Sequence, residues 1–154
     1  MEQEMHLMNA HLFEIKTGTD IYARVGAGIN SAEPANNEET DQTKYMIDGG
    51  FASTDVIGAQ VTLAFSGHRD YADAAQNYIF GKVLELGPTR RTEFRWTEPD
   101  GTILEGACTI ANISGPSGEA GAKGEISFEI HFNGKPKITR EGENDGGTGG
   151  GSEQ

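Results

Sequence analysis

Ala59-Gln60-Val61-Thr62-Leu63-Ala64-Phe65-Ser66-Gly67 alternates without a break, with Val61, Leu63 and Phe65 on one side. Alternation of period two is the pattern of a strand with one buried face. Glu125-Ile126-Ser127-Phe128-Glu129-Ile130-His131-Phe132 repeats it. There Ile126, Phe128, Ile130 and Phe132 face one way, and Glu125, Ser127, Glu129 and His131 the other. Residues 92–113 read as a hairpin around Glu98-Pro99-Asp100-Gly101, a turn with proline and Asp-Gly chemistry. Two short strands open the chain. Phe13 and Ile15 share a face in the first, and Ile21, Ala23 and Val25 in the second, with Lys16-Thr17-Gly18 between them. Residues 49–58 suggest a shorter, irregular strand, and Ser114 to Gly121 a bend.

One helix is predicted, over residues 73–86. Asp73 stands at the N-cap, and Gln76 three residues later completes a capping box. Ile79, Val83 and Leu86 form an apolar stripe at i, i+4 and i+7, and Gly87-Pro88 stops the helix. Residues 26–45 contain the run GAGINSAEPANNEETDQTK, which is nearly free of apolar side chains. They are predicted to be a long loop, of a length that marks a functional or disordered segment. The fold class is therefore mainly β, a sandwich or barrel with one helix. The expected organisation is an arm over residues 1–10, a β domain over 11–140, and a disordered tail over 141–154, where EGENDGGTGGGSEQ has no apolar residue.

The 154 residues are enough for one domain with a real core. Twenty-four acidic residues against twelve basic ones give a net charge of −12. That charge opposes phosphate-backbone binding, which relies on basic patches, and binding to anionic membranes. A single cysteine, Cys108, allows neither an intramolecular disulfide nor a cysteine-built zinc site. The first residues lack a basic and apolar leader pattern, and no apolar run approaches the ~18 residues of a membrane span. A soluble protein of a reducing compartment is the expectation.

The search for chemistry ends without a catalytic site. Gly26-Ala27-Gly28-Ile29-Asn30-Ser31 half-matches a dinucleotide loop, but the third glycine and the following helix are missing. Glu141, Glu143, Asp145 and Gly146 loosely imitate a calcium loop, with Ser152 where glutamate is needed. His6, His11, His68 and His131 are scattered. Asp70 lies close to Asp73, which a helix cap explains. Asn112-Ile113-Ser114 is a glycosylation sequon that matters only on secretion. Trp96 suits core or interface packing, and Cys108 a small buried hydrophobe. No enzyme activity, metal or cofactor is expected, and a structural or interaction protein is.

Residues 45–136 also carry a resemblance. The run GFASTDVIGAQVTLAFSGHRDYADAAQNYIF, the segment ELGPTRR and the run FRWTEPDGTILEGACTIANISGPSGEAGAKGEISFEIHFNGKP resemble the tail tube (major tail) proteins of long-tailed bacteriophages and prophages. The order of parts is similar too: a strand pair, a long loop, a strand ending in Gly67-His68-Arg69-Asp70, the helix, a hairpin and a long last strand. No short diagnostic motif carries the likeness, and the acidic Gly-rich tail has no counterpart in it.

The resemblance implies six copies in a ring, sheet edges joined into an inner barrel, and rings stacked into a tube that passes genome DNA. It makes the loop at about 26–45 a contact with a neighbouring subunit or ring, with Ile29, Asn30, Pro34, Asn36, Glu38, Glu39 and Asp41 as its candidate residues. Glu125 and Glu129, and secondly Glu93 and Arg95, are candidates to face the lumen. A ring of six would carry roughly −72 formal charges, six times −12, and like charge lets DNA slide without sticking. Partners implied are further copies of the chain, with tape measure, baseplate or distal tail, and tail terminator proteins. The location implied is the virion tail, after synthesis in the bacterial cytoplasm. An inner tube of a contractile tail, a tailocin or a gene transfer agent fits the same residues. A stand-alone β-sandwich that binds a sugar or peptide is the reading from another class.

Overall fold

The alternating segments form strands where their apolar sides can share one interior. A computed structural model describes residues 4–140. Its strands are β1 (Leu12–Gly18), β2 (Ile21–Arg24), β3 (Ile29–Ala35), β4 (Glu39–Thr43), β5 (Ser53–Gly58), β6 (Thr62–His68), β7 (Arg91–Thr97), β8 (Ile103–Ser117), β9 (Glu125–Phe132) and β10 (Lys137–Thr139). One α-helix, α1 (Ala74–Phe80), lies between β6 and β7. The fold is mainly β, as the alternation predicts. One antiparallel sheet runs in the order β2-β1-β7-β8-β9-β6-β3, with β10 added to β8, and β4 and β5 make a separate two-stranded sheet.

The large sheet curls on itself. Phe13 on β1 and Phe65 on β6 stand four places apart along it, which would separate them by roughly 19 Å in a flat sheet. Their ring centroids are 5.1 Å apart, edge to face. The concave side is therefore closed into a barrel-like interior. Phe65 also stacks on Phe128 at 5.2 Å, and Phe94 meets Phe132 at 6.2 Å. Ile15, Leu63, Ile110 and Ile130 fill the space between the rings, and Ala75 and Ile79 of α1 pack onto the same core. Cys108 is fully buried among them. Trp96 lies at the edge of this cluster, and its indole N–H donates to His11 Nδ1 at 3.0 Å.

Two expectations are corrected. The helix does not reach residue 86. It covers seven residues and ends with Gly81 as its C-cap. Val83 and Leu86, two of the three stripe positions, are exposed and face no core. Gly81 weakens a helix by about 1 kcal/mol against alanine, and no buried surface beyond it offsets that cost. Asp73 does cap, accepting the Gln76 amide at 3.0 Å, whereas the Gln76 side chain is engaged elsewhere instead of closing a capping box.

The second correction concerns residues 26–45, which are not a structureless loop. They hold β3, paired with β6, and β4, paired with β5. β8 also runs on to Ser117 where a bend was expected from Ser114, and β10 was not foreseen. The expected acidic tail over residues 141–154 lies outside the described residues.

Candidate functional site: two assembly surfaces

The sequence 29–68 builds a ribbon in two stages. β3 and β6 belong to the main sheet; β4 and β5 continue beyond it as a separate pair. The joint lies at residues 36–38 and 59–61. There Asn37 adopts a left-handed φ of 48° and its side chain donates to Gln60 O at 3.0 Å and Thr62 Oγ1 at 2.9 Å. Gln60 N donates to Asn36 O at 2.9 Å across the same joint. At the far end, Tyr45 to Gly50 turn the chain through a short 3-10 helix. Asp48 accepts the Tyr45 amide at 3.2 Å, and Gly49 and Gly50 supply the positive φ the turn needs.

The tip is apolar. Tyr45, Met46, Ile47 and Phe51 stand in solvent, Ile47 at 92% and Phe51 at 82% exposure. Contiguous exposed apolar side chains of this size mark an interaction surface more often than a random exposed leucine does. The shaft beside them is acidic: residues 36–58 hold Glu38, Glu39, Asp41, Asp48 and Asp55 against Lys44 alone, a net −4.

Of the candidate contact residues, Glu39 and Asp41 lie on β4, and Asn36 and Glu38 at the joint. Ile29, Asn30 and Pro34 instead belong to the root on β3, and Ile29 packs partly against the core. The tip side chains were missed. Their signal was present, four large apolar residues around Gly49-Gly50 just after a polar run, but only Tyr45 fell within the boundary drawn for the loop.

The ribbon root is fixed by a buried amide. Gln76 is 1% exposed. Its Nε2 donates to Ala27 O at 2.9 Å and His68 O at 3.0 Å, and its Oε1 accepts the Asp70 amide at 2.7 Å and Arg69 Nη1 at 3.2 Å. Helix, β2–β3 link and β6 end are thereby held by one side chain whose hydrogen-bonding capacity is fully used. The link passes so close that a Cβ on Gly28 (φ +78°) would press on His68 O and on Gln76 Nε2.

The second surface is the outward face of the main sheet. Cross-strand partners share a face, so the register aligns Glu14 with Arg95, Arg95 with Glu105, Glu93 with Ala107, Ala111 with Glu129, and Ser66 with Ser127. Glu125 and Glu129, the first lumen candidates, and Glu93 and Arg95, the second, fall on one face. Their charges are largely engaged. Arg95 lies 3.3 Å from Glu14 and 3.6 Å from Glu105, and its guanidinium sits 4.1 Å from the Tyr22 ring centroid. Lys16 meets Glu93 at 3.7 Å. Glu129 accepts from Asn112 at 2.9 Å and sits 2.8 Å from His131 Nε2, and these two hydrogen bonds, His131 first, hold its carboxyl below the usual range. Burial first, and then the Glu93 charge, push the Tyr22 hydroxyl upward.

The charge of the chain is therefore unevenly placed. Residues 141–154 carry four acids and no base, and residues 36–58 carry −4, so two-thirds of the −12 belongs to these two segments. Among the described residues no three histidine, cysteine, aspartate or glutamate side chains converge as a metal would require. Burial pushes the Cys108 thiol up to about 12, far from the thiolate that nucleophilic chemistry needs. What this arrangement offers is contact surface.

No protein-family model matches the chain, and no curated protein matches it in sequence. Solved structures do match its shape. A chain from the tail of an empty gene transfer agent particle, solved by helical refinement with C6 symmetry, superposes with a TM-score of 0.69 at 18% identity, covering 88% of this chain and 99% of that one. The two chains share one fold. A chain of the anti-feeding prophage cap, which terminates that particle's tube, matches with a TM-score of 0.60 at 12% identity over 91% of this chain and 94% of the other. A chain from the sheath–tube complex of an extracellular contractile injection system matches at 0.56 and 8% identity, over 84% and 88%.

Proposed function

We propose that this chain is the repeating subunit of a phage-tail-like tube, a structural protein whose six-membered rings stack into a conduit for DNA. The observation that carries the reading is the end-to-end fold correspondence with a C6-symmetric tail chain, 88% of this chain against 99% of that one. Two features support it. The sheet ends in free edges at β2 and β3, which offer backbone groups to a neighbour. The ribbon carries an apolar tip beyond the body, which suits a contact between copies. In this reading the face with Glu93, Arg95, Glu125 and Glu129 lines the bore. The engaged carboxylates of Glu93 and Glu129 then present DNA with a polar wall instead of a basic one. Tape measure, distal tail and terminator proteins are the partners such a tube requires, and the virion tail is its location. The likeness to a gene transfer agent tail, with a TM-score of 0.69, exceeds that to a sheath–tube complex at 0.56, and favours a gene-transfer-agent tube over the inner tube of a contractile particle.

Negative-stain electron microscopy of the concentrated protein tests the proposal. Rings or hollow tubes with six-fold end views are the expected result. Persistent single particles, also after addition of preformed tail-tip complexes, would overturn it. A collar of sheath protein around tubes isolated from producing cells would select the contractile variant.

A further inference from the structure

The segment that follows α1 is an apolar knob held rigid. Leu84 and Leu86 are 90% and 85% exposed, with Val83 half-exposed beside them. An exposed leucine pair on a floppy loop would be unremarkable. This loop is pinned: the Arg90 guanidinium donates to Val83 O at 3.0 Å, Glu85 O at 2.9 Å and Ile110 O at 3.0 Å. Thr89 Oγ1 adds a bond to Leu86 O at 3.0 Å. Arg90 thus fastens the loop to β8 and to itself, so the leucines are held outward and lose little entropy on contact.

The charge of this knob is unusual for the chain. Residues 81–91 hold Lys82, Arg90 and Arg91 against Glu85, a net +2, in a protein with only twelve basic residues. Residues 36–58 of the ribbon are its opposite, net −4 around an apolar tip. Both are exposed in the same chain, so neither covers the other.

We infer that the ribbon tip of one copy, with Tyr45, Met46, Ile47 and Phe51, docks on the Leu84–Leu86 knob of another copy. The inference rests on the tube reading and names its receiving surface. Apolar tip meets apolar knob, and acidic shaft meets basic rim, which is the complementarity that sets orientation and partner choice. The two patches differ, so within the ring of the tube reading the contact runs head-to-tail from copy to copy. A membrane is the poorer occupant, because the acidic shaft would approach an anionic surface.

Photo-cross-linking tests this. Benzoylphenylalanine replaces Ile47, whose exposure makes the change harmless to folding. The full chain is concentrated, irradiated and digested, and the same samples are imaged. The expected result is covalent dimers whose cross-links fall on residues 82–91. The yield should drop about tenfold in the Leu84→Asp/Leu86→Asp variant, whose circular dichroism and melting should match the parent because both side chains are already in water. Rings or tubes with cross-links elsewhere, or with a yield insensitive to the double variant, would overturn the knob and leave the tube reading standing. Absence of cross-linked dimers at every concentration would overturn the inference whether or not particles form, while the images judge the tube reading separately.

Discussion

Removing the Gln76 side chain tests the whole account of the ribbon root. In Gln76→Ala, the Ala27 and His68 carbonyls and the Asp70 amide lose their partner together. A buried polar group left unsatisfied costs about 1–3 kcal/mol. Ala27 lies at the surface, so water recovers part of its share. His68 O and the Asp70 amide carry most of the loss, and the expected cost is about 3 kcal/mol. That is a large part of the 5–15 kcal/mol typical of a whole domain. It corresponds to a melting temperature lower by roughly 6–12 °C for a chain of this size. Gln76→Leu keeps the volume and removes only the polar partners, so it should be nearly as damaging. Equilibrium urea unfolding followed by Trp96, the sole tryptophan, gives both values, and hydrogen exchange at Gly28 to Asn30 should accelerate in both variants. If Gln76→Leu proves as stable as the parent with unchanged exchange at those amides, the polar bridge is not what holds the root.

Three further outcomes follow from single residues. Gly67→Ala should cost more than about 2 kcal/mol and expose β3 to proteolysis, because its Cβ would strike Gly28 O and Ile29 Cα; limited digestion reads this directly. The depressed Glu129 carboxyl binds its proton more weakly folded than unfolded, so its contribution is present above the ordinary carboxylate range and disappears as pH falls through the lowered value. Glu129→Gln should therefore lower stability at neutral and alkaline pH and leave the acid end unchanged, which flattens the slope between them. Cys108 should resist an aromatic disulfide reagent at pH 8 until the chain is unfolded in urea, since burial raises its thiol to about 12. Rapid labelling of the native protein would contradict the packing described for β8.

The strands legible in the sequence were those with one buried face. β6 and β9 alternate because Leu63, Phe65, Phe128 and Ile130 enter the core while their neighbours stay outside. β3 and β4 were illegible for the same physical reason. β4 has no fully buried side, and Glu39, Asp41 and Gln42 are weak strand formers held only by cross-strand hydrogen bonds to β5. The helix was overextended because Val83 and Leu86 kept the right spacing, and periodicity alone does not distinguish an apolar stripe that packs from one left in solvent. The polar face was legible as a set, since alternation places Glu125 and Glu129 together without any structure. Its pairing was not: the match of Arg95 with Glu14 and Glu105 depends on register between strands remote in sequence. Gln76 looked like a capping residue, and its role as a bridge needed the position of the Ala27 carbonyl.

Strand order also dictates a timetable. β1 waits for β7: Glu14 and Arg95 pair across 81 residues of chain. At a synthesis rate of about 5–20 residues per second, the first strands emerge roughly 4–16 s before the partner that covers them. The ribbon needs no such wait, because β4 finds β5 within a short local turn. The nascent chain therefore exposes both strands of its ribbon and the apolar tip between them while its barrel is still open. In a cell making many copies at once, premature contact between ribbons competes with barrel closure. Slowing synthesis after residue 70 should then lower the yield of usable subunit, whereas lowering expression should raise it.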